Sequence, residues 1–179
     1  YTAYGFDDHK FKYGISGKWM VDKKNRLILS GGNRRDVEQI GASLTTTNDV
    51  LGRSYASSGL FTTGANGKLT NINLSTIAAE IEPVKNLTMQ LGFSYRTLES
   101  ASDTFSLNYF NDDTFTTTSS EVKQSEINLQ AEYTPKRKTM GYGVERREVD
   151  SPYSRFFINY SQGFKGLIDS DFDYQKLQL

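Results

Sequence analysis

The stretch Leu87-Thr88-Met89-Gln90-Leu91-Gly92-Phe93-Ser94-Tyr95-Arg96-Thr97-Leu98 decides the fold. Leu87, Met89, Leu91, Phe93, Tyr95 and Thr97 alternate with Thr88, Gln90, Gly92, Ser94 and Arg96, a period of two that gives a β-strand one apolar and one polar face. A dozen residues rising roughly 3.3 Å each and tilted by about 40° come close to spanning the hydrocarbon of a bilayer, whereas an ordinary soluble strand has about 5–6 residues. The strand is long enough to cross a membrane.

Outward from this strand the same reading repeats. Upstream, Glu82-Pro83-Val84-Lys85-Asn86 forms a short turn, and a strand over Leu69–Glu82 precedes it. Its apolar set shifts from Ile72 and Leu74 to Ile77 and Ile81, which predicts a bulge. Residues 45–67, rich in Ser, Thr, Asn and Gly, read as a long loop. Before it come a strand over Lys10–Val21, a tight turn at Asp22-Lys23-Lys24-Asn25, and a strand from Arg26 toward Ile40 in which Gly31 and Gly32 predict a bulge or bend. Downstream, residues 100–120 form a second long loop, and Ile127, Leu129, Ala131 and Tyr133 then alternate with Glu126, Asn128, Gln130 and Glu132. A basic segment over 135–152 leads to a strand around Phe156, Ile158 and Tyr160, and a last strand begins near Phe172. This gives seven strands, with an eighth expected within Met140–Val149, and no window has a helical period. The fold expected is all-β, an antiparallel up-and-down transmembrane β-barrel segment over residues 1–179, with long outer loops at 45–67 and 100–120 and an extended periplasmic hairpin at 135–152.

Composition narrows the function classes. Lys plus Arg and Asp plus Glu are each 21, so the formal charge is zero and no global basic field draws in nucleic acid. Mean hydropathy is −0.57 and no run approaches the ~18 apolar residues of a helical span, which leaves a barrel open because half of each barrel strand faces a polar lumen. Cysteine is absent, excluding a disulfide scaffold and thiolate metal ligands. The opening Tyr1-Thr2-Ala3-Tyr4 is no signal peptide, and Tyr174-Gln175-Lys176-Leu177-Gln178-Leu179 stops inside a strand, so the chain reads as a fragment of a larger barrel; a complete small barrel is the alternative.

Alternation alone fits equally a soluble lipocalin-like barrel with its apolar face inward. Strand length, long loops on one side only, and Tyr13, Trp19, Tyr95, Tyr133 and Tyr160 near strand ends favour the membrane. The charges Lys10, Lys12, Lys18, Arg96, Glu126 and Glu132 all keep to the polar phase, where a lumen would solvate them.

The segment Ser151-Pro152-Tyr153-Ser154-Arg155-Phe156-Phe157-Ile158-Asn159-Tyr160-Ser161-Gln162-Gly163-Phe164-Lys165-Gly166-Leu167-Ile168-Asp169-Ser170-Asp171-Phe172-Asp173-Tyr174 resembles a Bacteroidota family of outer-membrane barrels labelled domain of unknown function 5686. The opening Tyr4-Gly5-Phe6-Asp7-Asp8 followed by Phe11-Lys12-Tyr13-Gly14 is similar to a mid-barrel segment of that family. The resemblance implies a barrel with more strands than this chain carries and, ahead of it, a carboxypeptidase-regulatory-like β-sandwich. The aromatic strand end, Gly-Lys-Gly and acidic turn are also loosely similar to Omp85-type insertases.

Catalytic chemistry has little to stand on. His9, the single histidine, lies beside Asp7 and Asp8 and reads as a solvated rim residue. Asp169, Asp171 and Asp173 have the spacing that starts a calcium loop, yet Tyr174 stands where glycine is needed, so they read as an acidic hairpin tip. Lys136, Arg137, Lys138, Arg146 and Arg147 form the densest basic group, suited to anionic headgroups or a periplasmic partner but read as a solvated hairpin of mixed charge. Asp103-Thr104-Phe105 and Asp113-Thr114-Phe115 look like bacterial O-glycosylation triplets, and the sequons at Asn73, Asn86 and Asn159 carry no meaning in a bacterial envelope. No residue is assigned a catalytic, cofactor-binding or metal-ligating role. The expectation is a non-enzymatic protein of the bacterial outer membrane, a receptor or transport channel or a subunit of an envelope complex. Its partners are outer-membrane lipid and other outer-membrane or periplasmic proteins, not nucleic acid. The alternatives are an Omp85-like assembly factor and a soluble binding barrel.

Overall fold

Twelve short and long strands carry the period-two segments in the computed structural model, which describes residues 1–5, 10–39, 69–101, 107–110, 114–116, 118–141, 143–149 and 154–179. They are β1 (Thr2–Tyr4), β2 (Phe11–Asp22), β3 (Leu27–Gln39), β4 (Leu69–Val84), β5 (Leu87–Ser100), β6 (Tyr109–Phe110), β7 (Thr118–Ser119), β8 (Glu121–Tyr133), β9 (Thr139–Met140), β10 (Arg147–Glu148), β11 (Phe156–Gly163) and β12 (Tyr174–Gln178). Eight of them form one antiparallel sheet in the order β1-β2-β3-β4-β5-β8-β11-β12, while β6–β7 and β9–β10 are separate two-stranded ribbons. The sheet is an open meander among the described residues, with β1 and β12 as its edges. The eighth strand of the sheet is β1; the expected one within Met140–Val149 is instead the β9–β10 ribbon, because Met140 pairs with Arg147 and not with a sheet strand.

Neither bulge read from the sequence is present. Gly31 and Gly32 pair in register with Gly17 and Ser16 on one side and with Ile77 and Thr76 on the other. Across β4 the ladder runs unbroken from Leu69 to Glu80 against β3, so Ile72 and Leu74 simply face the opposite way from Ile77. Ile72 meets apolar neighbours on that face, since it pairs with Leu98, which pairs with Val122, whereas Leu74 lies between Arg34 and Arg96. Register shifts occur beside the short turns, between Met20 and Asp22 and between Ile81 and Val84. At the second, Glu82 and Pro83 together oppose Thr88, a position where proline's missing N–H costs no ladder bond. The turn expected over 82–86 therefore shrinks to Lys85-Asn86, with Asn86 in the left-handed region at φ 69°.

Short connections at 23–26 and 85–86 lie at one end of the sheet, while the long 40–68 and 101–120 connections leave the other; the 134–155 connection lies at the short-turn end. The proposed loop 45–67 lies outside the described residues. The sheet curls: Lys10 Nζ, one residue ahead of β2, sits 3.3 Å from Glu99 Oε2 on β5, over two intervening strands that would hold the backbones about 14 Å apart in a flat sheet.

The curl sorts the two faces in an unusual sense. One face carries a row running Trp19-Leu29-Ala79-Leu91-Leu129-Tyr160-Leu177 through seven strands, in register at each step. These side chains are exposed: Trp19 69%, Leu91 55% and Leu177 59%. The opposite face carries Thr76, Gln90, Gln124, Asn128, Gln130, Asn159 and Ser161, and all are buried. Most buried polar groups find partners, and on this face Thr76 Oγ1 and Gln130 Oε1 are left without one among the described residues. Here Asn128 Nδ2 donates to Asn159 Oδ1 at 2.6 Å and to Ser161 Oγ at 2.9 Å, Asn159 Nδ2 donates to Gln178 Oε1 at 3.0 Å, and Arg96 Nε donates to Gln124 Oε1 at 2.5 Å. Of the charges expected on the polar phase, Lys18, Arg96, Glu126 and Glu132 are all on this buried face.

Candidate functional site

The buried polar face widens at the short-turn end into a cavity of about 580 Å³, walled by β2–β5 and β8 and covered by the 135–149 segment that contains β9 and β10. Its lining includes five cations, Lys18, Arg26, Arg137, Arg146 and Arg155, and five carboxylates, Glu80, Glu82, Glu132, Glu145 and Glu148. The charges balance, but they are not evenly mixed.

Three guanidinium groups converge on the single carboxylate of Glu82. Arg146 Nη1 is 2.9 Å from Oε2, Arg26 Nε 3.6 Å from the same oxygen, and Arg137 Nη2 4.0 Å from Oε1. Glu82 reaches them because it sits in the β4 bulge, and its Oε1 also accepts from the Asn86 amide at 2.9 Å. Arg26 stands in the turn ahead of β3 with φ 50°. It donates from Nη1 and Nη2 to the carbonyls of Gly143 and Val144 at 3.3 and 3.1 Å. Burial, and then the nearby Arg146, push the Arg26 guanidinium below its ordinary value, while Glu82 and Glu80 pull it back up. Two exposed pairs add to the hold on the covering segment, Lys18 with Glu145 at 3.5 Å and Arg155 with Glu148 at 3.3 Å. Apolar packing contributes little, since Met140 and Val149 remain 64% and 58% exposed. The cover is thus an electrostatically fastened plug.

The basic group of the sequence is divided by this arrangement. Arg137 and Arg146 turn inward onto Glu82, whereas Lys136, Lys138 and Arg147 stay exposed. Of the aspartates at the other end, Asp171 and Asp173 serve the backbone. Past Gly163 the strand β8 has no β11 partner, and residues 164–171 fold back to satisfy it: the Lys123 amide donates to Asp171 Oδ2 at 2.6 Å and the Ser125 amide to Ser170 Oγ at 3.0 Å. The Lys165 amide donates to Asp173. Among the described residues no group of three or more His, Asp or Glu side chains is placed to hold a metal ion. Tyr109 packs its ring 5.5 Å from that of Phe172, and burial together with a hydrogen bond to Asp171 raises its phenol above the ordinary range. Asn73 takes a hydrogen bond from Asn33 at 3.1 Å, Asn86 forms the turn, and Asn159 belongs to the buried polar ladder. His9, Asp7, Asp8, the 103–105 triplet and Asp113 lie outside the described residues.

The family model for the C-terminal domain of DUF5686, a family of unknown function, matches residues 1–179. The chain belongs to this family. No curated protein and no solved structure matches it. In this DUF5686 domain, sequence reading assigned no role to Arg26, which it took as the first residue of a strand, or to Glu82, which it put where a strand meets a turn; Arg26 instead ends the turn ahead of β3. A usable signal was present: Glu80 and Glu82 continue the even-numbered phase of Thr76 and Ala78 on β4 and so belong to its buried face.

Proposed function

We propose that this chain is the membrane-spanning part of a bacterial outer-membrane β-barrel, a non-enzymatic transport channel or receptor whose lumen is closed at the short-turn end by the β9–β10 segment. The reversed burial carries the reading: Gln90, Asn128 and Asn159 are 5%, 6% and 1% exposed, while Trp19, Ile77 and Leu91 are 69%, 63% and 55% exposed. In water that arrangement would expose an apolar row running across seven strands, a contiguous surface of the kind soluble monomers rarely carry, so it counts against the soluble binding barrel. In a bilayer it is the favoured sense, apolar outward and polar toward the lumen. The apolar rows run from Leu87 to Tyr95 on β5, about 27 Å along the strand or about 21 Å along the membrane normal at a tilt of about 40°, approaching the roughly 25 Å apolar band of outer-membrane barrels. Beyond Tyr95 the same face turns polar at Arg35, Asn73, Thr97 and Lys123, which share one register.

Unpaired strand edges are not tolerated in hydrocarbon, so β1 and β12 require partner strands there, and closure of the barrel is part of the proposal. The test is membrane extraction at alkaline pH followed by planar-bilayer recording. Retention in the pellet and a low, intermittent conductance of the wild type are expected. Release into the supernatant would overturn the reading.

A further inference from the structure

The short-turn end of the sheet presents cations that carry no ion-pair partner among the described residues. Lys23 and Lys24 project from the β2–β3 turn, Lys85 from the β4–β5 turn, Lys136 and Lys138 from the connection after β8, and Arg147 from β10; all six are exposed. None makes a side-chain hydrogen bond or ion pair among the described residues, whereas the acidic groups beside them are committed. Asp22 accepts from the amides of Lys24 and Asn25, Glu82 is enclosed by three arginines, Glu145 faces Lys18 and Glu148 faces Arg155.

The segments bearing these cations are joined to one another. The Glu82 amide donates to the Asn25 carbonyl at 2.8 Å, which ties the β4 bulge to the β2–β3 turn, and the Thr134 amide donates to the Asn86 carbonyl at 3.0 Å, which ties the β4–β5 turn to the end of β8. The result is a basic collar at the short-turn end, with Lys138 and Arg147 contributed by the segment that covers the cavity. It borders the exposed apolar face directly: Lys23 follows Trp19 and Val21, Lys85 sits between Val84 and Leu87, and Lys136 follows Tyr133. A lysine one or two residues beyond an apolar or aromatic strand end can lay its alkyl stem along the acyl boundary and lift its ammonium to phosphate height.

We infer that this collar binds the anionic phospholipid headgroups of the leaflet that faces the short turns. The inference rests on the membrane reading above and adds to it a lipid class and the residues that select it. An acidic protein partner would need the collar to be displayed away from the membrane plane. Its continuity with Trp19, Val84, Leu87 and Tyr133 places it at the boundary instead.

Trp19, the single tryptophan, supplies the probe, because it is exposed on the apolar face close to Lys23 and Lys24. The full chain is folded into vesicles of phosphatidylcholine mixed with phosphatidylglycerol, with bromine on the acyl chains of one lipid or the other at matched mole fraction. Quenching of Trp19 by the brominated phosphatidylglycerol is expected to correspond to an enrichment of about two- to fivefold at low salt, given the attraction of a basic side chain to an anionic surface within a Debye length. The enrichment should vanish at high salt, and also when Lys23, Lys24, Lys85, Lys136, Lys138 and Arg147 are all replaced by Gln. The salt titration on the wild type decides the matter even where that variant does not fold. Equal quenching by both lipids overturns the collar while leaving the membrane reading intact, and is the outcome an acidic protein partner would give. Quenching by neither overturns both.

Discussion

Leu91→Arg separates a lipid-facing sheet from a water-facing one. Leu91 is 55% exposed on β5, two residues from Met89 and Phe93 and four from Leu87 and Tyr95, so it stands midway along the apolar rows, about 14 Å from either end. On a surface in water, replacing a half-exposed leucine costs about 0.5 kcal/mol or less. At the middle of a bilayer an arginine on the lipid face costs about 2–4 kcal/mol, because its charge must be hydrated through a defect in the hydrocarbon. That range corresponds to about a 30- to 700-fold loss in the folding equilibrium. Urea titration of the protein in lipid vesicles, followed by Trp19 emission and protease protection, measures it. Thr97→Arg is the control: it lies on the same face of the same strand, in the row that already holds Arg35 and Lys123, and is expected to cost about 0–1 kcal/mol. Equal effects of the two substitutions would refute the reasoning, whatever their size.

Further expectations follow from the polar side of the sheet. Glu82→Gln leaves Arg26, Arg137 and Arg146 without their shared charge; with Arg146 still 30% exposed, the loss is placed at the low end for a buried pair, about 3 kcal/mol. The plug should then open about 100-fold more often, read as faster trypsin cleavage at Lys136, Lys138 and Arg147 and as larger bilayer conductance; unchanged cleavage would remove Glu82 as its fastener. Asn128→Ala strips two donors from the buried ladder and is expected to destabilise the sheet by about 1–3 kcal/mol in the same urea titration, with Asn159 and Ser161 left wanting. A Cβ on Gly163 would approach the Tyr174 ring to 2.2 Å, so Gly163→Ala should cost about 1–3 kcal/mol, and the added Tyr174→Ala should recover much of that cost; strict additivity in the double-mutant cycle would contradict the contact.

Much of the sheet was legible because alternation is a local property of the backbone. The strands expected at Lys10–Val21, Leu69–Glu82 and Leu87–Leu98 reappear as β2, β4 and β5 with ends moved by a residue or two. The misreadings came from treating every change of phase as a break in the backbone. Ile72 faces the buried side where Leu98 and Val122 await it, a neighbourhood formed by residues 26 to 50 positions away. Likewise Gly32 marks close packing, since a Cβ there would lie 2.8 Å from the Ile15 carbonyl of the adjoining strand.

The sequence by itself determined the all-β class, the antiparallel run of long strands from β2 to β8 and which side chains share a face, because a period of two and the turn residues act within a few positions of the chain. It left open which face is enclosed, since the same alternation serves a soluble barrel and a membrane one. Only the tertiary structure decided that, through the direction of curl that brings Lys10 to Glu99 and buries the glutamine and asparagine rows. The division of the basic group was decided there too. Arg137 and Arg146 differ from Lys136, Lys138 and Arg147 only by where Glu82 stands, and Glu82 is more than fifty residues away along the chain.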